Sequence, residues 1–406
     1  MILPDAYLFT AHTQLITGRG CRNQIRGVLD SHRLNRPFLI TGGDMSVDNS
    51  EYQADCVGEY RLSSDHASFR QVDEVKTLME EAECDCIIAA GGSGVIDTSK
   101  AAGLFPARPG QRSDPDHADD TGELECSAVP IIAIPTMSGA YTSALRFTTV
   151  FDHDKGRPQL ISSGQILPRS VILDSETAFT EKPLDISSAA MEALAYAVDA
   201  FTGLGKNPLS DGLAFSALKL LYPAMLEAVS TTSSGTASSS LLEGAYLSGQ
   251  ASSNSMPGIL YALCQTLSAL CNIPHRACAA ILLPYSLEYN HHKISGFLDE
   301  LSVLFDDGKE VADPLNFPDF IRTINRSLYQ MTSGDHVWRF HDIMDKQGRP
   351  LMRPDHIHYA ARMAMDSWMG FNNPEQADFE DMRRIIQAAY WGYPLDRELV
   401  MKGHQR

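Results

Sequence analysis

Four short apolar runs interrupt the first 180 residues, and each stops at a residue that ends a strand. Pro37-Phe38-Leu39-Ile40-Thr41 stops at Gly42-Gly43, and Asp85-Cys86-Ile87-Ile88-Ala89-Ala90 stops at Gly91-Gly92. Val129-Pro130-Ile131-Ile132-Ala133-Ile134 runs into Pro135-Thr136, and Ser170-Val171-Ile172-Leu173 into Asp174. Runs this short and this continuously apolar suit strands buried on both faces, as in a parallel sheet covered by helices. Helical patterns lie between them, for example over 72–82. The alternation predicts a parallel α/β sheet.

After Pro183 the pattern changes. Residues 187–201, 211–229, 238–252, 258–271 and 277–289 carry helical periodicity, and β-rich runs all but vanish. The expected organisation is an α/β domain over 1–181 and an all-α domain over 182–406. The acidic stretch 111–125 reads as a solvated loop within the first domain. The Ser/Thr/Gly-rich stretch 230–240 reads as a flexible connection between helices.

Charge and cysteine usage narrow the function classes. With 33 Lys+Arg against 51 Asp+Glu, the formal charge is −18. Such a surface repels phosphate backbones and anionic lipid, so neither nucleic acid nor membrane is expected as a partner. No run of about 18 apolar residues is available to span a bilayer. Met1-Ile2-Leu3-Pro4-Asp5 lacks the basic and apolar regions of a secretion signal. Eight cysteines in 406 residues, with no CxxC pair, read as buried free thiols in a reduced, cytoplasmic protein. Cys264, Cys271 and Cys278 recur every seven residues, but Pro274 breaks the helix that would align them.

Two loops carry the chemical signal. In Ala90-Gly91-Gly92-Ser93-Gly94-Val95-Ile96-Asp97-Thr98-Ser99-Lys100 a strand ends in glycines and a helix begins. Glycines let a backbone approach a pyrophosphate, and a helix N-terminus offers free N–H groups and a favourable dipole. A tight strand-to-helix turn with no ligand would look the same. Pro135-Thr136-Met137-Ser138-Gly139 is a second strand end running into small and hydroxyl residues. In a parallel sheet both loops emerge at the carboxyl ends of strands, where ligands bind.

These residues resemble the iron-dependent alcohol dehydrogenase family, of the dehydroquinate synthase-like fold. Gly91-Gly92-Ser93-Gly94-Val95-Ile96-Asp97-Thr98-Ser99-Lys100 is similar to the family's GGGSxxDxAK, and Ile134-Pro135-Thr136 with Gly139 to its IPTTxGTGSE. Leu173-Asp174 with Met191-Glu192-Ala193-Leu194 resembles its LDP…DAL region. Ile273-Pro274-His275, followed by Leu282-Leu283-Pro284 and Tyr289-Asn290, resembles PHG…LLPxxxxxN; Asn372-Asn373-Pro374 resembles a late NPR-like element. The matches run in order over most of the chain. They imply the dehydroquinate synthase-like fold, with cofactor and substrate meeting in a cleft between the domains, and a homodimer or larger homo-oligomer.

The resemblance also shows what this chain lacks. Family members hold a divalent metal, iron or zinc, with one Asp and three His. The matching positions here are Glu192, Tyr196, Tyr261 and His275, and a further family His falls at Gln265. One carboxylate, two phenols and one imidazole make a poor iron or zinc site, because a phenol must lose a proton of pKa near 10 before it ligates well. No metal is therefore expected. On the nucleotide side, the third glycine and the serine are swapped as Ser93-Gly94, and the family Glu is lost at Ser143. A family lysine becomes Pro158, and the acidic residue after the first strand becomes Gly42. Losing that carboxylate relieves repulsion of a 2′-phosphate, so the cofactor implied is NADP or NAD. The stretch 44–60 is short for the family's second helix.

Gly42, Gly91, Gly92, Ser93, Gly94, Asp97, Thr136 and Met137 are the cofactor-binding candidates that follow. Tyr196, Tyr261 and His275 are the catalytic candidates, because Tyr and His can protonate a developing alkoxide where a metal would have polarised a carbonyl. The expected activity is metal-independent, NAD(P)-linked interconversion of a small aldehyde or ketone with its alcohol. Two alternatives stay open: a non-redox lyase, isomerase or condensing enzyme reusing the cleft, and a non-catalytic binding protein.

Overall fold

The computed structural model describes residues 6–42, 54–63, 66–104, 128–178, 183–230, 235–305, 317–332 and 337–395. The stretch 111–125 lies outside them, as do most of 44–60 and the domain boundary at Glu181-Lys182. The chain forms two compact units. One is Thr10–Glu181 with Ser233–Ser253; the other is Met1–Phe9, Lys182–Thr232 and Asn254–Arg406.

The first unit holds β1 (Gln14–Thr17), α1 (Ile25–His32), β2 (Pro37–Thr41), β3 (Gly58–Arg61), α2 (Phe69–Glu81), β4 (Cys86–Gly91), α3 (Ser93–Leu104), β5 (Ile131–Pro135) and α4 (Met137–Ser143). An antiparallel hairpin of β6 (Phe147–Asp152) and β7 (Arg157–Ser162) follows, then β8 (Ser170–Leu173) and the single turn α5 (Ser175–Ala178). Six strands form one sheet in the order β1-β8-β5-β4-β2-β3, and every pair is parallel. The four strands expected from their apolar runs, β2, β4, β5 and β8, are buried along their whole length. The edges β1 and β3 are half exposed, which is why no continuous apolar run announced them. On one face of the sheet Leu39, Ile88, Ala90, Ile132, Ile134 and Ile172 pack with Ile25, Val28 and Leu29 of α1. The period of two in Ile88-Ala90 and Ile132-Ile134 is that of a pleated strand.

Register decides what the carboxyl end of the sheet presents. Thr41 pairs with Ala90, and Gly91 with Pro135. Gly42, the Gly91-Gly92 turn and the Pro135-Thr136 turn therefore emerge side by side.

The second unit is helical: α6 (Pro183–Thr202), α7 (Pro208–Ser230), α9 (Ile259–Cys271), α10 (His275–Ser302), α11 (Phe317–Met331), α12 (His356–Met365) and α13 (Phe379–Trp391). Between α7 and α9 in sequence runs α8 (Gly235–Ser255). The flexible loop expected over 230–240 is thus corrected: from Gly235 the chain is helix. Ser233–Ser253 also clusters with the sheet unit rather than with the helical half, where the sequence placed it. Close approach explains this. A Cβ on Gly249 would lie 2.2 Å from the Tyr141 carbonyl oxygen, and Gln250 Nε2 donates to the Ala144 carbonyl at 3.3 Å. Packing against α4 outweighs the weak helix propensity of a serine-rich start.

Proline inside α10 has a visible consequence. Pro284 has no N–H to give the carbonyl of Ala280. Asn325 of α11 donates its Nδ2 to that carbonyl at 2.8 Å. Nearby, Arg322 of α11 bonds the buried Glu288 at 2.7 Å, and Glu288 also accepts the Leu395 N–H at 2.9 Å. Among the described residues no helix is long and apolar enough to cross a membrane. The seven described cysteines are all free. Cys21, Cys86, Cys264, Cys271 and Cys278 are buried, Cys56 and Cys84 half-buried.

One glycine tests the packing of the two loops at the sheet's carboxyl end. A Cβ on Gly139 would sit 2.3 Å from the Gly91 carbonyl oxygen, a backbone atom that cannot swing away. Gly139→Ala is expected to cost about 2–4 kcal/mol of stability, the scale of a forced core clash. Gly164→Ala, with nothing within 4 Å of the new methyl, is the control. Equal urea midpoints for the two variants would contradict the close approach.

Candidate active site

Helix α6 is buried on every side from 187 to 202. A helix apolar all round belongs in an interior, so the polar side chains it carries there need partners. Glu192 and Tyr196 are one turn apart and share a face. The Glu192 carboxylate Oε1 lies 2.7 Å from Nδ1 of His275. His275 is the first residue of α10: α9 stops at Cys271, Asn272 turns left-handed (φ +53°), and Pro274 precedes the new helix. Tyr261 is the third residue of α9.

Three rings cluster at this point. Ring centroids are 5.4 Å apart for Tyr196 and Tyr261, 5.2 Å for Tyr261 and His275, and 5.9 Å for Tyr196 and His275. The Tyr196 hydroxyl is 3.4 Å from Nδ1 and 3.5 Å from Nε2 of His275. Near-equal distances to both nitrogens place it beside the ring rather than in line with either. The short contact to Glu192 is therefore the directed bond. The Tyr196 hydroxyl is also hydrogen-bonded to the Cys264 thiol, which burial raises well above its ordinary range. Tyr196 and Tyr261 are buried, whereas the His275 side chain keeps 20 % of its surface exposed. All four residues predicted to converge are brought together, and Glu192 adds a role that sequence reasoning did not assign to it: it fixes the imidazole.

These residues do not fit an iron or zinc ion. The set offers only one carboxylate and one imidazole, and the other two donors are phenols, each of which must lose a proton of pKa near 10 before it ligates well. Among the described residues, no group of three or more His, Cys, Asp and Glu side chains converges as a metal site.

At the sheet, Gly91 has φ +153°, and a Cβ there would meet Val95 at 2.7 Å. A Cβ on Gly92 would lie 2.7 Å from Ser138 Oγ and 3.7 Å from Thr136 Oγ1. The space over Gly92 is thus shared with two hydroxyls of the neighbouring loop, and Thr136 N–H donates to the Gly91 carbonyl at 3.0 Å. Ser93 and Gly94 open α3, whose first-turn N–H groups have no carbonyl one turn back. A backbone without side chains, a helix start and two hydroxyls suit a phosphate. Gly42 packs beside Val95 of the same turn, at 3.4 Å from a would-be Cβ. Two other candidates are placed differently. The Met137 side chain is buried, and Asp97 Oδ1 accepts the Thr148 hydroxyl at 2.6 Å, tying α3 to the hairpin.

Two structural anchors went unread in the sequence. Lys100 is fully buried, and its Nζ donates to the carbonyls of Thr142 and Leu145, at 2.7 Å to the latter, closing the C-terminal end of α4. Asp199, two turns after Glu192 on α6, accepts the Gly258 N–H at 2.9 Å. Burial raises its carboxyl to about 6, against that hydrogen bond, which lowers it. Its seven-residue spacing from Glu192 puts it on the same helix face, but no sequence signal points to the distant N–H it caps.

Comparison with known proteins decides the family. Residues 12–175 match the family described as iron-containing alcohol dehydrogenase, and residues 186–390 the C-terminal part of the Fe-containing alcohol dehydrogenase family. The chain belongs to the iron-containing alcohol dehydrogenase family. It is 25% identical over 327 residues to an NADPH-dependent butanol dehydrogenase of Clostridium saccharobutylicum, spanning 79% of this chain and 80% of that one. A solved 1,3-propanediol oxidoreductase superposes with TM-score 0.83 at 18% identity, covering 95% of this chain and 100% of the other. A sulfoacetaldehyde reductase from Bifidobacterium kashiwanohense, solved in complex with NAD+, gives TM-score 0.78 at 18% identity over 95% of this chain and 99% of that one. The expected family and fold class hold, and this chain carries the family's sheet and helical regions.

Lys100 gives a pH test of the α3–α4 clamp. Burial pulls its ammonium from the ordinary 10.5 down to about 7, against Asp97, which pulls it up. Below pH 7 the folded and unfolded chains both carry the proton, and the burial penalty is fully present. Between 7 and 10.5 the unfolded chain keeps a proton the folded protein has shed, so stability rises with pH across that window. Lys100→Met is expected to remove that rise, measured as urea midpoints at pH 7, 8.5 and 10. An unchanged slope would remove Lys100 as its source.

Proposed function

We propose that this chain is an NAD- or NADP-linked oxidoreductase that reduces a small aldehyde or ketone, or oxidises the corresponding alcohol, and works without a catalytic metal. The observation that carries this reading is the 2.7 Å bond between Glu192 and His275, flanked by the phenols of Tyr196 and Tyr261. Relatives named for butanol and for sulfoacetaldehyde support a small carbonyl substrate.

When bound, a nicotinamide dinucleotide supplies or accepts the hydride. The backbone of Gly91, Gly92, Ser93 and Gly94 and the hydroxyls of Thr136 and Ser138 are the groups that would hold its phosphates. The remaining chemistry is proton transfer. A carbonyl that gains hydride develops charge on oxygen and must take a proton. Glu192 accepts the Nδ1–H of His275, a tautomer inferred from the bond, and so leaves Nε2 to face the substrate. A protonated Nε2 gives its proton to the oxygen during reduction; a neutral Nε2 takes the alcohol proton in the reverse direction. The phenols donate hydrogen bonds to the same developing charge. Positioned acids of this kind contribute roughly 10²–10⁴-fold in rate.

Reduction of butanal with NADPH or NADH tests the roles. His275→Gln is expected to lower kcat by roughly 10²-fold or more; at least one of Tyr196→Phe and Tyr261→Phe is expected to lower it by a similar factor, and both Phe variants to keep thermal stability nearly unchanged. If both Phe variants match the parent, the phenols are filler for the space a metal would leave. Metal is tested separately. The purified protein is expected to keep its turnover after chelator treatment and to contain no stoichiometric iron or zinc. Near-unit occupancy together with loss of activity in chelator would overturn the metal-free reading.

A further inference from the structure

The start of α9 lacks a cap of its own. Its N-cap residue is Gly258, which has no side chain to accept the first N–H groups of the helix. Two distant side chains supply what is missing. Asp199 of α6 accepts the Gly258 N–H at 2.9 Å, and Asn373 accepts the Ile259 N–H at 3.3 Å. The absence of a side chain at 258 is what lets them in, since a Cβ there would lie 2.9 Å from Asn373 Oδ1 and 3.5 Å from Asp199 Oδ1.

Asn373 extends the hold to α10. Asn290 Nδ2 donates to Asn373 Oδ1 at 3.0 Å, and Asn373 Nδ2 donates back to Asn290 Oδ1 at 2.7 Å. Asn372 donates to the Ser255 carbonyl at 2.8 Å and to the carbonyl of Met256, whose backbone is left-handed at φ +60°. The turn into α9 is thus fixed on both sides. Each helix that feeds the ring cluster contributes to this hold or receives it. Helix α6 carries Glu192, Tyr196 and Asp199. Helix α10 carries His275 and Asn290, and α9 carries Tyr261 three residues after Gly258.

We infer that Asp199 and Asn373 are positioning residues: they set the start of α9, and through it place Tyr261 against His275, without touching substrate. The inference rests on the proposed role of Tyr261 and His275. Asp199 lies buried and bonded to backbone, so its effect on chemistry runs through the helix it caps. A carboxylate at a helix N-terminus is also favoured by the helix dipole, which makes Asp199 a cap as well as a tether.

The test uses Asp199→Ala, Asp199→Asn, Asn373→Ala and Tyr261→Phe in the full chain. It measures kcat and KM for NADPH-driven butanal reduction and the ¹⁵N imidazole resonances of His275, assigned by their loss in His275→Gln. Asp199→Ala and Asn373→Ala are expected to lower kcat by about tenfold or more with KM for NADPH unchanged, the cost of a small misplacement of a reacting group. Asp199→Asn keeps an acceptor for the Gly258 N–H and is expected to retain most of the turnover. Added to Tyr261→Phe, Asp199→Ala is expected to cost little more, because residues acting as a unit are non-additive. The His275 resonances are expected to move in Asp199→Ala, a readout that stands whether or not butanal is turned over. If Asp199→Ala does not fold, Asn373→Ala carries the same comparison. Full additivity with Tyr261→Phe, or a folded Asp199→Ala with unmoved resonances and unchanged kcat, overturns the inference. Parent-like turnover by Tyr261→Phe overturns the proposed role of Tyr261, and this inference with it. An impaired Tyr261→Phe beside a parent-like Asp199→Ala overturns the positioning alone.

Discussion

Everything at the ring cluster depends on a carboxylate placed in the interior of the helical unit. A buried charge without a partner costs several kcal/mol, and Glu192 meets that demand with the imidazole of His275 at 2.7 Å. This bond constrains two things together. It holds the rotation of α6 against the first turn of α10, and it fixes the imidazole. The two phenols then fill the remaining space with rings, and the Tyr196 hydroxyl stays near the imidazole. Asp199, further along the same helix, meets the same demand through the backbone of Gly258. One buried helix thus distributes its polar groups to two neighbouring helices.

The sheet unit solves a different problem, the approach of two loops at backbone distance. Gly139 against Gly91, and Ser138 over Gly92, leave no room for further side chains. Lys100 holds the other end of α4 by its last carbonyls. The glycines of the turn therefore serve packing first. The exposure of backbone that suits a phosphate is a by-product of the same geometry.

Much of this was legible in the sequence, for physical reasons that also explain the failures. β2, β4, β5 and β8 were readable because strands buried on both faces are continuously apolar. β1 and β3 were not, because an edge strand is exposed along one side. Helix α8 was misjudged at its start because Ser, Thr and Gly argue locally for a loop, and the contacts of Gly249 and Gln250 that favour helix are distant in sequence. The shared helix face of Glu192 and Tyr196 follows from a four-residue spacing. Their convergence with Tyr261 and His275 needed the family resemblance, since no local rule brings α9 and α10 to α6. Asp199, Asn373 and Lys100 were invisible as anchors because each acts on a backbone group far away in the chain. A side chain bonded to a remote carbonyl or N–H leaves no pattern that composition or periodicity can reveal.

The bond from Asn325 to the Ala280 carbonyl has a consequence for how the helical unit opens. The proline at 284 leaves that carbonyl without its helical donor, and α11 supplies the replacement. Undocking α11 strips a buried acceptor as well as separating apolar surfaces. Fraying of α11 is then coupled to solvent reaching the middle of α10. Amide exchange in these two segments should report one cooperative unit rather than two, with the helix interruption acting as the link between them.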